Sequence, residues 1–174
     1  LNSGLNFSKF SSEKNTYSTG AYFGVQPNFH LHKRWVLGLN FNYSNYVLKN
    51  LEVLDYKFSS IDIAPTIEYR LTNFWSINTG LNFTTRLSDH LKFPQFDVWI
   101  KNVPDLSKKF AVSYLIGTRM YFKNLFLNLK YNFALSQLKH FEVTDETGKA
   151  IGPRNYLFEN FQLGIGYRIN LSKM

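Results

Sequence analysis

The sequence predicts an all-β fold, an eight-stranded antiparallel up-and-down transmembrane β-barrel, and three observations carry that prediction. The first is alternation over long runs. Ile61, Ile63, Pro65, Ile67, Tyr69 and Leu71 oppose Ser60, Asp62, Ala64, Thr66, Glu68 and Arg70. After the break at Leu71-Thr72-Asn73-Phe74, the residues Trp75, Ile77, Thr79, Leu81, Phe83 and Leu87 oppose Ser76, Asn78, Gly80, Asn82, Thr84 and Arg86. Each run is about 14 residues, whereas strands of soluble domains are about 5 or 6 and a strand crossing a bilayer needs about 9 to 11. The second is the lack of any run of about 18 apolar residues, so no transmembrane helix is expected. The third is connection length. Ser11 to Thr16, Lys49 to Asp55, Ser88 to Lys108 and Glu142 to Asn155 are long or polar, and the other three connections are tight turns. Outer-membrane barrels show this asymmetry, with short periplasmic turns and longer extracellular loops. The expected location is therefore the bacterial outer membrane, with both termini periplasmic.

Taken in order, the remaining strands repeat the pattern. The first runs from Leu1 to Phe10, with Leu5 and Phe7 opposite Gly4, Asn6 and Ser8. The second, Tyr17 to Leu31, sets Tyr17, Ala21, Phe23, Val25, Phe29 and Leu31 against Gly20, Tyr22, Gly24, Gln26, Asn28 and His30. After His32-Lys33-Arg34, the third sets Trp35, Leu37, Leu39, Phe41, Tyr43 and Val47 against Gly38, Asn40, Asn42 and Ser44. The hairpin described above supplies the fourth and fifth. The sixth starts near Lys109, where Phe110, Val112, Tyr114, Ile116, Met120 and Phe122 oppose Ala111, Ser113, Gly117 and Arg119. It turns at Lys123-Asn124 into the seventh, with Leu125, Leu127, Leu129, Tyr131, Phe133 and Leu135 against Asn128, Lys130, Asn132 and Ser136. The eighth, Tyr156 to Leu171, opposes Leu157, Phe161, Leu163, Ile165, Tyr167, Ile169 and Leu171 to Asn160, Gln162, Gly164, Gly166, Arg168 and Asn170.

A soluble barrel would alternate equally well with its apolar face inward, so the outward face is chosen on other grounds. The polar face carries most strand glycines, as a narrow lumen prefers. It also carries Asp62, Glu68, Arg70, Arg86, Arg119, Lys130 and Arg168, charges of both signs that are expected to pair as an internal plug. Aromatics on the apolar face gather at strand ends, notably Trp35, Tyr69, Trp75 and Tyr167 near the short turns. Two such girdles match the two membrane interfaces. Lipid and lipopolysaccharide are then the expected surroundings of the wall.

The 174 residues are read as one domain, 1–174. With no cysteine there are no disulfides, thiolate chemistry or Cys-based zinc sites. The chain begins at Leu1 without a charged, then apolar leader, and the expectation is a mature, processed protein. The net charge of +8 raises nucleic acid as a partner. Its placement argues against that, because the surplus sits in the lumen and near the short turns, at Lys33, Arg34, Arg70, Lys123, Arg168 and Lys173.

The segments Gly4-Leu5-Asn6-Phe7-Ser8, Ile61-Asp62-Ile63-Ala64-Pro65 running into Glu68-Tyr69-Arg70-Leu71, and Phe161-Gln162-Leu163-Gly164-Ile165-Gly166-Tyr167-Arg168 resemble the PorT-like outer-membrane β-barrel family of Bacteroidetes. The resemblance implies a small outer-membrane barrel, and the family's namesake is associated with type IX secretion. The shared motifs mark strands and glycines and bring no catalytic signature. The closing Asn170-Leu171-Ser172-Lys173-Met174 lacks the terminal aromatic usual in such barrels.

Chemistry has few candidates. Ser88-Asp89-His90, with His140 and Asp145, supplies the residue types of a hydrolase or acyltransferase site in the loops. His30 and His32 share a face but lack a third ligand, so no metal or other cofactor is expected. An eight-stranded barrel is filled by its own side chains, which leaves at most a narrow channel past Arg86 and Arg119. The leading expectation is a non-enzymatic structural or accessory subunit of an outer-membrane protein complex, serving secretion or uptake. A loop enzyme and a narrow channel or small-ligand binder are the alternatives. The segment Ser88 to Lys108 is about 21 residues, longer than ordinary loops. Its Phe93, Phe96, Trp99 and Ile100 are the candidate partner contacts.

Overall fold

The computed structural model describes residues 1–10, 17–51, 54–92, 100–101, 109–144 and 150–169. Among them eleven strands form one antiparallel sheet: β1 (Asn2–Phe10), β2 (Ser18–Val25), β3 (Asn28–His30), β4 (Trp35–Leu51), β5 (Leu54–Arg70), β6 (Trp75–Lys92), β7 (Ile100–Lys101), β8 (Phe110–Phe122), β9 (Leu125–Ala134), β10 (Gln137–Thr144) and β11 (Ala150–Tyr167). The pairing order β1-β2-β4-β5-β6-β8-β9-β11 returns to β1, where Asn2 meets Gly166 and Phe10 meets Phe158. Eight staves thus close into a barrel. β3 prolongs the β2 stave along β4, β10 prolongs the β9 stave along β11, and β7 pairs with β6 beyond the wall.

Why the chain closes this way follows from which face each residue takes. The outward residues are large and apolar: Leu37, Ile63, Ile67, Leu81, Ile116, Leu127, Leu129 and Ile165 are all exposed. The inward residues are chiefly Asn, Ser, Thr and charged groups, with Asn6, Ser44, Ser60 and Ser76 wholly buried. In water this arrangement would leave a large apolar surface unsupported. Surrounded by lipid it is the stable arrangement, because the closed ladder leaves no unpaired sheet edge in hydrocarbon. Two inward glycines make room for large rings. A Cβ on Gly164 would collide with the Tyr22 hydroxyl, and one on Gly166 with the Phe126 ring.

Several boundaries differ from the sequence expectation, each for a local reason. The second strand is interrupted at Gln26-Pro27, since proline has no N–H for the ladder. Pro27 still accepts from Leu39 N at 3.1 Å, which keeps the stave attached. Pro65 acts similarly: β5–β6 pairing runs to Ile63↔Phe83 and resumes at Thr66↔Gly80. At the end opposite the short turns the strands run further than alternation suggested. β4 and β5 extend to Leu51 and Leu54, β6 to Lys92, and β10 and β11 cover most of the expected Glu142–Asn155 loop. Beyond the bilayer both faces of a strand meet water, so the ladder persists while the apolar signal disappears.

The wall assignment predicts a depth-dependent cost. Leu127→Arg and Ile165→Arg, on the outward face, should each lower refolding stability in lipid vesicles by about 2–4 kcal/mol, as read from denaturant titration. A cost near zero would place these residues away from the hydrocarbon.

Candidate functional site

The lumen is built in three tiers. At the short-turn end, Glu68 of β5 and Arg119 of β8 meet over β6, whose inward Ser76 and Asn78 are small enough to let them reach. Arg119 Nη1 donates to Glu68 Oε2 at 2.7 Å, with both side chains 2% exposed. Arg119 Nη2 donates to Gln26 Oε1 at 2.6 Å, and Tyr121 Oη donates to Glu68 Oε1 at 2.6 Å. The guanidinium also lies over the Phe126 ring, 4.7 Å from its centroid. A pair so far from water depends on these additional bonds, because isolated burial of either charge costs several kcal/mol.

The middle tier satisfies its charges differently. Asp62 accepts from Ser44 Oγ, from Tyr46 Oη at 3.0 Å and from Ser60 Oγ at 3.0 Å, so hydroxyls hold it. Lys130 Nζ donates to Asn40 Oδ1 at 3.3 Å. Around them Gln162 Nε2 donates to Asn6 Oδ1, its register partner on the adjacent stave, at 2.9 Å, and Tyr22 Oη donates to Asn128 Oδ1 at 3.0 Å, reaching past β1 and β11 to β9.

The third tier lies at the far end and depends on one extra residue. Ser60 pairs with Arg86 but Ser59 with Ser88, so Leu87 forms a bulge in β6. Residues i and i+3 of a regular strand point to opposite faces, and the bulge brings both Arg86 and Asp89 inward. Asp89 Oδ2 accepts from Tyr56 Oη at 3.0 Å and lies 3.5 Å from Arg86 Nη1, while Arg86 also donates to Tyr56. The buried rings of Tyr46, Phe58 and Tyr56 stack in sequence here, with centroids 4.7 and 5.5 Å apart, and cork this end of the lumen.

Of the charges expected in the lumen, Asp62, Glu68, Arg86, Arg119 and Lys130 lie buried inside the barrel. Arg70 and Arg168 depart from it. Arg70 is a quarter exposed, 3.9 Å from Glu68 and 2.9 Å from His30 Nε2. Arg168 is exposed and donates to Lys123 O at 3.1 Å, because β11 ends at Tyr167 and the next residue stands at the open rim. Both arginines stand at the mouth. Trp35, Tyr69, Trp75 and Tyr167 lie on the outward face at the short-turn end, with the Trp35 and Tyr69 rings 4.7 Å apart.

Alternation turns Gln26 inward but does not pair it with Arg119. Four further lumen features lie outside the sequence expectation: Tyr121, Phe126, Tyr56 and the inward turn of Asp89. Strand parity could have found the first three of these, since Tyr121 follows Arg119 by two residues, Phe126 precedes Asn128 by two and Tyr56 precedes Asp62 by six. Asp89 could not be found that way, because the bulge reverses parity.

Among the described residues the loop-enzyme candidates do not converge. Asp89 turns inward, Ser88 Oγ bonds Ser59 Oγ at 2.6 Å, and His90 stands in register with exposed Lys57. The His140 side chain and Asp145 lie outside the described residues, as do Phe93, Phe96, Trp99 and the side chain of Ile100. Among the described residues no three His, Cys, Asp or Glu side chains form a metal-binding group.

Residues 1–140 match the family model described as an outer membrane protein beta-barrel domain. No curated protein matches the sequence. Solved structures similar in fold include Ail, the attachment invasion locus protein of Yersinia pestis, in complex with the heparin analogue sucrose octasulfate. It is 14% identical with a TM-score of 0.59, covering 97% of this chain and 95% of that one. Neisserial surface protein A is 13% identical with a TM-score of 0.58 and the same coverage. The outer membrane enzyme PagL is 7% identical with a TM-score of 0.52, covering 97% of this chain and all of that one, 100%.

The Glu68–Arg119 contact generates a prediction about stability. Arg119→Ala should cost about 3–5 kcal/mol by leaving Glu68 buried without its cation. The double variant Glu68→Leu with Arg119→Met should lose less than the single, and urea unfolding in lipid vesicles measures the difference. Equal losses in both would make the contact energetically idle.

Proposed function

The chain belongs to the outer membrane protein beta-barrel domain family, and on that premise we propose that this small eight-stranded outer-membrane barrel is a closed, non-enzymatic scaffold that docks a protein partner at its ends. The observation that carries the reading is the filled lumen. Glu68 and Arg119 block the short-turn end, Asp62 and Lys130 with their polar partners fill the middle, and Tyr46, Tyr56 and Phe58 cork the far end. With described side chains filling the axis, the surfaces left for function are the two rims and the lipid-facing wall. Separation of Asp89 from Ser88 and His90 supports the non-enzymatic reading over a loop hydrolase. Fold alone does not decide this, because one barrel architecture carries unrelated activities.

In this reading the termini and the short turns face the periplasm, and the segment holding Phe93, Phe96, Trp99 and Ile100 is the outer docking element. Its apolar residues support that role, since a long connection so rich in aromatics calls for a covering surface. The resemblance to PorT-like barrels of Bacteroidetes supports a place in a secretion- or uptake-related assembly.

Two measurements test the proposal. Planar bilayers containing the purified chain should show no discrete conductance steps above background, and steady single-channel currents would replace the scaffold with a channel. Deleting 93–103 should leave a folded barrel that loses its co-purifying protein in mild-detergent pull-downs. Retention of that protein would move docking to the wall or the short turns.

A further inference from the structure

At the short-turn end the lumen opens into a cavity of about 780 Å³. Arg70, Arg119 and Arg168 converge there on one ring, with guanidinium carbons 5.7, 6.0 and 5.4 Å from the Tyr121 centroid. His30 lies beside Arg70, and its Nε2 accepts a hydrogen bond from the guanidinium, which has donors and no acceptor. No Asp or Glu lines the cavity among the described residues. The nearest carboxylate, Glu68, sits behind it and is already engaged by Arg119 and Tyr121. The Nε atoms of Arg70 and of the deeply buried Arg119 have no hydrogen-bond partner among the described residues.

We propose that this mouth is a binding site for a phosphate monoester. Three guanidinium charges against the single carboxylate of Glu68 leave an excess of two, which a phosphate dianion neutralises and a lone carboxylate does not. Guanidinium forks match phosphate oxygens geometrically and bind them with charge-assisted hydrogen bonds. The aromatic rings of Phe29, Phe126 and Tyr167 around the same cavity favour an organic body attached to the phosphate over a free ion. Such a monoester is either a soluble metabolite or the headgroup of a lipid in the adjoining leaflet. The site shares Arg119 with the closed lumen but is tested apart from the scaffold reading, because the outer docking segment includes neither Arg70 nor Arg168 and their replacement leaves the Glu68–Arg119 pair in place.

The test is calorimetric titration of the full chain in non-ionic detergent with sodium phenyl phosphate at pH 8, against sodium acetate at matched ionic strength. Saturable binding of phenyl phosphate is expected, weakened about tenfold by Arg70→Gln and by Arg168→Gln, each removing one charge-assisted contact. Arg34→Gln, whose guanidinium faces Tyr69 at 3.2 Å outside the cavity, should bind as the unaltered chain does. Repeating the titration in bilayer discs containing phosphatidic acid assigns the source. Lost phenyl phosphate binding identifies the lipid headgroup as occupant, and retained binding identifies a soluble ester. The proposal falls if phenyl phosphate and acetate give the same response, or if the Arg70 and Arg168 variants, shown folded by circular dichroism, bind unchanged. Conductance and partner pull-down are unaffected by either result, so this site and the scaffold fail separately.

Discussion

Everything in this molecule depends on an unbroken ring of backbone hydrogen bonds in a medium that offers none. An N–H or C=O facing hydrocarbon without a partner costs several kcal/mol. The meeting of β1 with β11 removes the edges that such a sheet would otherwise carry. The exceptions show how strict the constraint is. Pro27 cannot donate, so the stave breaks there, near the rim, and its carbonyl still accepts from Leu39. Pro65 sits deeper, and there the β4 side of the ladder continues through Leu39↔Pro65 while the β6 side skips a step.

Closing the ring at eight staves makes a lumen too narrow for bulk water, and the inward side chains must satisfy one another. The barrel meets that demand in two ways. Glu68 and Arg119 pair directly, whereas Asp62 is held by hydroxyls and Lys130 by an amide oxygen. Small inward residues are as important as the charged ones, because Ser76 and Asn78 let Glu68 reach past β6, and Gly164 and Gly166 admit Tyr22 and Phe126. The two ends consequently differ in character. One is corked by stacked rings, and the other opens on a cluster of arginines.

A single inserted residue decides which chemistry the far end can offer. Without the bulge at Leu87, Asp89 would share an outward face with neither Ser88 nor Arg86, and the Tyr56–Arg86–Asp89 group would not exist. The bulge commits Asp89 to the lumen, and simple alternation then keeps Ser88 and His90 on the opposite face. That similar folds include both a surface protein and an enzyme is consistent with function residing in such local placements and not in the barrel itself.

The sequence by itself determined the wall. Two-residue alternation is imposed by strand geometry and puts Ile63, Leu81, Leu127 and Ile165 on one face and Asp62, Glu68 and Arg119 on the other, and the glycines, the charges of both signs and the aromatic girdles choose which of the two faces outward. Tertiary structure alone decided the partnerships. Glu68 and Arg119 are separated by a whole stave, and their meeting depends on register and on the size of the residues between them. Arg168 shows the same limit at a boundary, since alternation points it inward but β11 ends at Tyr167 and leaves it exposed at the mouth, facing Tyr121. Strand extensions beyond the membrane were illegible because, with water on both faces, nothing selects an alternating pattern. Periodicity records which solvent each face of a residue meets, whereas the site is made by side chains distant in sequence that only closure of the barrel brings within hydrogen-bond reach.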